Sequence, residues 1–420
     1  MAPQPQRQRF CWSNLPIELL SIIFQKLTDC EDISHCAAAC LSWQLVIETD
    51  YHLFKPILYP FVARLFNHNN QTGLFLYNPQ ARKLHKISLP ELNGRYSSCS
   101  SNGWLLTYSG KYKPEPENMH LINLFTRSKI KLPPPPKASD RSEDCRVITS
   151  TSPLNPSCIF LFSTSRCGEM FICKHGDASW MTMQVVPDNP KVLVVPAPYG
   201  YLLCYRIIHS RKTDKQPVPI HDFQRCADKD TIFYKGDFYC IGRCGIIFRI
   251  TYAVDSYTAE ALPIEPLPTW SRHSYKIQYY LVELNGYLLL TSRSMYNEFN
   301  VYKLDLQKGK WIAMESIGNH VILLGRHSST SFVPCKKKGY FKPNRIYFLD
   351  EVIQGRSSGT GVYNIISKST EPLYTYSALS NPHFVNPSIE GMSHQSPFSH
   401  KKSYYVHLNW LVRFKIKLDQ

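Results

Sequence analysis

The sequence predicts an α+β multidomain chain, a small three-helix unit followed by an all-β propeller of about seven blades, and three observations carry that prediction. Apolar residues recur at helical spacing only between residues 16 and 54. Behind them come strand-length runs punctuated by Gly, Pro, Asn and Asp, with no stretch of helical period. Thirty prolines, 26 tyrosines and 21 phenylalanines in 420 residues, with 19% charged, favour strands and turns over long surface helices.

The first helix is expected from Pro16, which suits a first turn because its missing N–H is no loss there, with Glu18 favouring the positive end of the dipole. Leu20, Ile23, Phe24 and Leu27 follow i, i+3, i+4, i+7, and Thr28 and Asp29 stop the helix. A second helix is expected from about Glu31, with Ile33, Cys36, Ala37, Cys40 and Leu41 on one face. Ser42 interrupts, and Trp43, Val46 and Ile47 give a third short apolar face. So small a unit has too little interior to satisfy its apolar surface alone, so part of that surface is expected to meet another chain or the following domain.

From residue 61 one local pattern recurs. SNGWLLTY (101–108), PYGYLLCY (198–205), YKGDFYCI (234–241) and LNGYLLLT (284–291) each set a Gly turn before an aromatic-apolar strand. A second phrase, strand then polar turn then strand, appears in FLYNPQARKLHKISLP, MHLINLFTRSKIKLP, IIFRITYAVDSYTAEALP and FNVYKLDLQKGKWIAM. Units of about forty to fifty residues over 61–395 give about seven blades, with six or eight also open. The resulting division is a disordered tail (1–10), a helical domain (11–55), a linker (56–60), the propeller (61–395) and a strand-like C-terminal tail (396–420). KLPPPPKASDRSED (131–144) is expected to be an extended inter-blade loop.

Forty-eight Lys and Arg against 32 Asp and Glu leave a net charge of +16, which favours acidic partners without choosing among them. The basic residues form short clusters, Arg127 with Lys129 and Lys131, Lys336 to Lys338, and Arg413 with Lys415 and Lys417. None is a long basic arm, so nucleic acid is the lesser reading. Fourteen cysteines include no C-x-x-C pair; Cys36/Cys40 and Cys240/Cys244 are the closest spacings and read as buried thiols of a reducing compartment. No run approaches the roughly 18 apolar residues of a membrane span, and MAPQPQRQRF lacks the apolar core of a signal peptide, so a soluble intracellular protein is expected. Lys336 to Lys338 leave the nucleus and the cytoplasm both open as its location.

Chemistry finds little support. Gly355-Arg356-Ser357-Ser358-Gly359 fits G-x-S-x-G, but a nucleophile elbow needs a strand before it, a helix after it, and an acid and a His downstream, and this run lies between two β phrases. Histidines are scattered without H-E-x-x-H, so no metal and no cofactor is expected. Trp104, Trp180, Trp270 and Trp311 are read as packing between sheets before they are read as a binding surface.

Residues 15–46, LPIELLSIIFQKLTDCEDISHCAAACLSWQLV, resemble the F-box, the element that docks onto a Skp-family adaptor of cullin-RING ubiquitin ligases. Leu15-Pro16, Glu18-Leu19-Leu20, Ile23, Leu27, Asp29 to Ile33 and Cys40…Ser42-Trp43 carry the resemblance, while Leu41 and Gln44 stand where that family commonly has basic residues. The remainder resembles the plant KIB-type β-propeller, commonly fused to F-boxes, through LLGRHSSTSF, GYFKPNRIYFLDE (339–351) and GVYNIISKSTEPLY (361–374). The resemblance implies a non-catalytic substrate-recognition subunit of a Skp-cullin-F-box ubiquitin ligase, with the propeller holding a target protein and the adaptor joining it to a cullin. It implies adaptor contacts among Leu15, Pro16, Leu19, Leu20, Ile23, Leu27, Ile33 and Trp43, residues that helical burial alone would place in the core. The alternative is a ligase-independent propeller that binds protein or RNA behind a degenerate F-box.

Overall fold

The computed structural model describes residues 12–50 except 28 and 29, residues 61–373 except runs of ten residues or fewer and the longer run 207–227, and residues 409–411. The N-terminal tail, the 56–60 linker, the Pro-rich loop beyond Pro134, Cys244, Trp270, Lys336 to Lys338 and the basic cluster at 413–417 lie outside the described residues.

Three helices open the fold: α1 (Ile17–Gln25), α2 (Cys30–Ala39) and α3 (Leu41–Asp50). Pro16 is the N-cap of α1, one position ahead of the first turn, and its carbonyl accepts the Leu19 and Leu20 N–H groups at 3.1 Å. The second interruption falls at Cys40, not at Ser42. Leu41 therefore begins α3, and the Cys40 carbonyl accepts the Gln44 N–H at 3.0 Å.

Six sheets of four or five strands follow in chain order. The first holds Phe61–His68, Gln71–Asn78 and Lys83–Ser88; the second runs from Tyr96–Cys99 to Lys129–Lys131 and the third from Cys145–Thr149 to Met181–Thr182. The fourth runs from Asp228–Tyr234 to Ser256–Ala261, with Gln184–Val186 added parallel to its last strand. The fifth spans Ile277–Leu284 to Lys310–Met314, and the sixth lies within 321–372. The repeating phrases seen in the sequence become hairpins of these sheets, except PYGYLLCY, whose LLCY falls in a separate two-stranded sheet. In the fourth and fifth, Lys235-Gly236 and Asn285-Gly286 are two-residue turns with positive φ at both positions (48° and 96°, 52° and 75°), the type I′ geometry that matches the strand twist.

Apolar clusters fill the seams between successive sheets and carry them round in a ring. Trp104, Leu121 and Phe160 pack the second sheet on the third; Ile172, Phe238 and Ile250 pack the third on the fourth. Tyr239, Leu281 and Trp311 join the fourth to the fifth, and Val282, Phe299 and Phe348 join the fifth to the sixth. Leu323 and Tyr347 of the sixth then meet Tyr77 and Leu84 of the first, while Leu76 of the first meets Leu105 and Ile122 of the second. Among the described residues the ring thus closes with six blades, the lower end of the six to eight, about seven at the centre, that the repeat length allows. The difference arises after the third sheet, where Val192–Pro196 and Leu202–Arg206 form a two-stranded sheet and not another blade.

The C-terminal segment supplies the closing strand. Asn409–Leu411 pairs antiparallel with Phe61–His68, with Phe61 opposite Leu411, Val62 opposite Trp410 and Ala63 opposite Asn409. The first sheet is therefore built from both ends of the propeller chain.

Candidate functional site

Six of the nine residues of α1 are large and apolar, which is more than one face can bury. At 100° per residue, Leu20 and Phe24 point to one side, where each is 1% exposed, and Leu19, Ile22 and Ile23 point to the other, where they are 48%, 52% and 42% exposed. Ile17 is exposed at the start of the helix. The same division appears in α3: Val46 and Ile47 are buried, while Leu41 and Leu45, one turn apart on the opposite side, are 77% and 61% exposed. Trp12, in the 3₁₀ turn ahead of α1, is also exposed. Scattered exposed leucines mean little, but two apolar helix faces left bare in so small a unit mark an interaction site.

The eight residues implied as adaptor contacts divide between this face and the interior. Leu19 and Ile23 are on the exposed side, and Pro16 is exposed at the N-cap. Leu15, Leu27 and Trp43 are half-buried and pack against the core; the Trp43 ring meets Phe24 edge-on at 5.4 Å, and its Nε1–H donates to the Trp12 carbonyl at 3.3 Å. Leu20 and Ile33, at 1% and 0% exposure, lie in the core cluster, the interior position that helical burial alone gives them. Ile17, Ile22, Leu41 and Leu45 were not among the expected contacts. The signal for them was the surplus of apolar residues over what a single stripe can hold.

Cys40 sits at the break between α2 and α3. The Ser42 hydroxyl 3.2 Å from its sulfur, together with the Trp43 N–H, holds the Cys40 thiol below its ordinary value, whereas burial, with Asp32 adding to it, pushes Cys36 above.

The buried side of the helices sits on the propeller. Leu20, Phe24, Ile33 and Ile47 share one apolar cluster with Leu74, Leu76 and Ile87 of the first sheet and Leu105, Ile122 and Phe125 of the second. A polar contact fixes α3 against the second sheet, where the Ser128 hydroxyl donates to Glu48 Oε1 at 2.5 Å, and Gln44 Nε2 donates to the same oxygen at 3.0 Å. The apolar surface that the sequence could not place therefore has two destinations, the propeller behind the helices and the bare face in front.

Within the ring the charged groups are built into the architecture. Arg146 of the third sheet donates from Nη1 to Asp230 Oδ1 at 2.9 Å, and Oδ2 of Asp230 accepts the Leu281 N–H of the fifth sheet at 2.7 Å, so one carboxylate ties three blades. Arg293, 0% exposed, lies 4.4 Å over the Phe348 ring and donates to the Leu349 carbonyl, joining the fifth blade to the sixth. In the Gly355–Gly359 run, Arg356–Ser357 is a strand paired with Val352–Ile353, not the start of a helix, so it is not a nucleophile elbow. Trp104 and Trp311 are buried between sheets, and Trp180 packs on Phe162 at 5.4 Å with its N–H on the Pro133 carbonyl. Among the described residues no three His, Cys, Asp or Glu side chains converge as a metal site, and no helix is long and apolar enough to cross a membrane.

Comparison with known proteins agrees with both halves of this arrangement. The family model described as KIB1-4 beta-propeller matches residues 76–364, and the model described as F-box-like matches residues 12–58. Two Arabidopsis thaliana sequences that carry F-box names, At5g55150 and At4g22170, are 24% and 23% identical to this chain; the alignments cover 81% and 90% of it, and 85% and 97% of theirs. The F-box protein At3g56470 of the same plant is 22% identical over 76% of this chain and 73% of its own.

Proposed function

The chain belongs to the KIB1-4 beta-propeller family and carries an F-box-like segment ahead of that propeller, and from this premise we propose that it is a non-catalytic substrate receptor of a Skp-cullin-F-box ubiquitin ligase. The observation that carries the proposal is the pair of bare apolar faces on α1 and α3, centred on Leu19, Ile22, Ile23, Leu41 and Leu45, on a unit whose other side is already buried on the propeller. A Skp-family adaptor covers those faces, and through it the chain joins a cullin. Covering each such side chain contributes roughly 1.5–3 kcal/mol at full burial, so five supply a central apolar cluster of the kind that dominates interface energy.

The propeller holds a target protein, and the chain contributes no nucleophile. Its effect on ubiquitin transfer is that of a scaffold, because a target held near the charged partner enzyme reacts at raised effective concentration. The chain works in the nucleus, the cytoplasm or both, where such ligases assemble.

The test is co-purification with plant Skp-family adaptors. Leu19→Asp with Ile23→Asp changes residues that touch solvent in the free chain, so the melting temperature should stay within a few degrees while adaptor affinity falls by at least about tenfold. Wild-type chain that retains no plant adaptor would defeat the receptor reading; so would a variant that binds as well as wild type.

A further inference from the structure

We propose that the C-terminal strand Asn409–Leu411 is a strap that controls the docking face on α1 and α3, although it lies at the opposite end of the chain. The inference rests on the receptor reading for its consequence and on strand register for its route. Asn409 is opposite Ala63; Ala63 is opposite Leu76 on its other side; and Leu76 is a fully buried member of the cluster that contains Leu20, Phe24, Ile33 and Ile47. Two strand spacings, about 10 Å, separate the strap from the seat of the helices.

The seat is shared by two sheets, the second supplying Leu105 and Ile122. Leu74, Leu76 and Ile87 all come from the first sheet, whose own strands are Phe61–His68, Gln71–Asn78 and Lys83–Ser88. Without Asn409–Leu411, the strand Phe61–His68 becomes an edge at residues 61–63, the part of it that the strap pairs. That sheet also carries the ring closure, through Tyr77 and Leu84 against Leu323 and Tyr347. Tyr77 is opposite Val62, which the strap pairs through Trp410. Freeing the strap therefore loosens the first sheet on both faces, towards the sixth sheet and towards the helices. The two ends of the chain are energetically linked, so anything that captures the tail weakens the adaptor site, and adaptor binding in turn tightens the strap.

Hydrogen exchange on the full chain tests this without requiring an adaptor. Trp410→Pro and the double change Asn409→Pro/Leu411→Pro remove strap N–H groups in both possible registers of the ladder. Either should raise amide exchange in Phe61–His68 and, with it, in α1 and α3, while Ile277–Leu284 and Tyr287–Ser294 of the fifth sheet keep their protection and show that the ring is still folded. Affinity for a purified plant Skp-family adaptor should drop by about fivefold or more. A converse variant, Ala63→Cys/Asn409→Cys, crosslinks two residues that face each other and should slow exchange in α1 and α3 when oxidised, with reversal by dithiothreitol. Unchanged exchange in Phe61–His68 on proline substitution would show that the strap is not a strap. Exchange that rises there but not in α1 and α3, with adaptor affinity intact, would overturn the linkage. Wild-type chain that binds no adaptor defeats the receptor reading separately, because the exchange pattern in the helices still decides whether the linkage exists.

Discussion

Asp230 shows how much one side chain can carry in a ring of sheets. Its carboxylate accepts Arg146 Nη1, the Thr231 N–H at 2.9 Å and the Leu281 N–H, all in a buried setting. Replacing one partner leaves the other charge buried without its counterpart, so Asp230→Ala should lower unfolding free energy by about 3–5 kcal/mol, read from urea or guanidinium titration. Tyr347 is the residue to follow with pH. Burial in the seam between the sixth and first sheets pushes its phenol above the ordinary value of 10.0, against the Lys342 N–H that donates to its oxygen at 2.9 Å and the nearby Arg345. A raised folded value means that the folded state holds the proton more tightly, so this contribution is complete below the unfolded value and is lost as pH rises through it towards the folded one. Wild type should therefore lose stability above about pH 10 faster than Tyr347→Phe does. At neutral pH the same substitution should cost about 1 kcal/mol, because the Lys342 N–H loses its acceptor.

At the scale of elements, the local phrases were legible because their chemistry is local. Asn285-Gly286 announces a type I′ hairpin from two letters, and the chain folds that way because an amide side chain and a missing Cβ tolerate positive φ. Lys235 occupies the equivalent position of the fourth sheet at φ 48° without that advantage. Lys235→Asn should thus stabilise the protein by about 0.5 kcal/mol or more, visible as a small rise in melting temperature. Gly361 gave no comparable sign. It starts the strand Gly361–Asn364, and a Cβ there would meet Phe348 Cζ at 2.7 Å and the Glu371 carbonyl oxygen at 2.8 Å. Backbone oxygen cannot swing aside, so Gly361→Ala should cost about 1–3 kcal/mol by denaturant titration. Helix boundaries were less legible, since a break at Cys40 or at Ser42 leaves the same apolar spacing almost intact.

Across the whole molecule the helices and the propeller share one core. The resemblance implies Leu20 and Ile33 as adaptor contacts and helical burial implies them as core; linear spacing does not distinguish a residue facing a partner from one facing the chain's own first and second sheets, where both lie. An isolated fragment 1–60 lacks the nine buried members of its cluster that the rest of the chain supplies, Leu74, Leu76, Ile87, Leu105 and Ile122 among them. It should show weak helical circular dichroism and no cooperative melting, whereas the full chain melts cooperatively with its helices in place. Because the helices are seated through apolar contacts and through Glu48 on Ser128, the ring has a defined direction relative to the bare faces of α1 and α3. An F-box on a flexible tether would not fix that direction.

The sequence by itself determined the order of the parts: helices first, then repeated hairpins, with an apolar surplus at the front that required a second surface. Those properties follow from periodicity and turn chemistry, which act over a few residues. Tertiary structure alone decided that the ring closes at six blades among the described residues, that Asn409–Leu411 completes the sheet begun at Phe61, and that Leu19, Ile22 and Ile23 stay bare while Leu20 and Phe24 do not. Each of these depends on which distant surface arrives opposite a residue, and no local spacing encodes that.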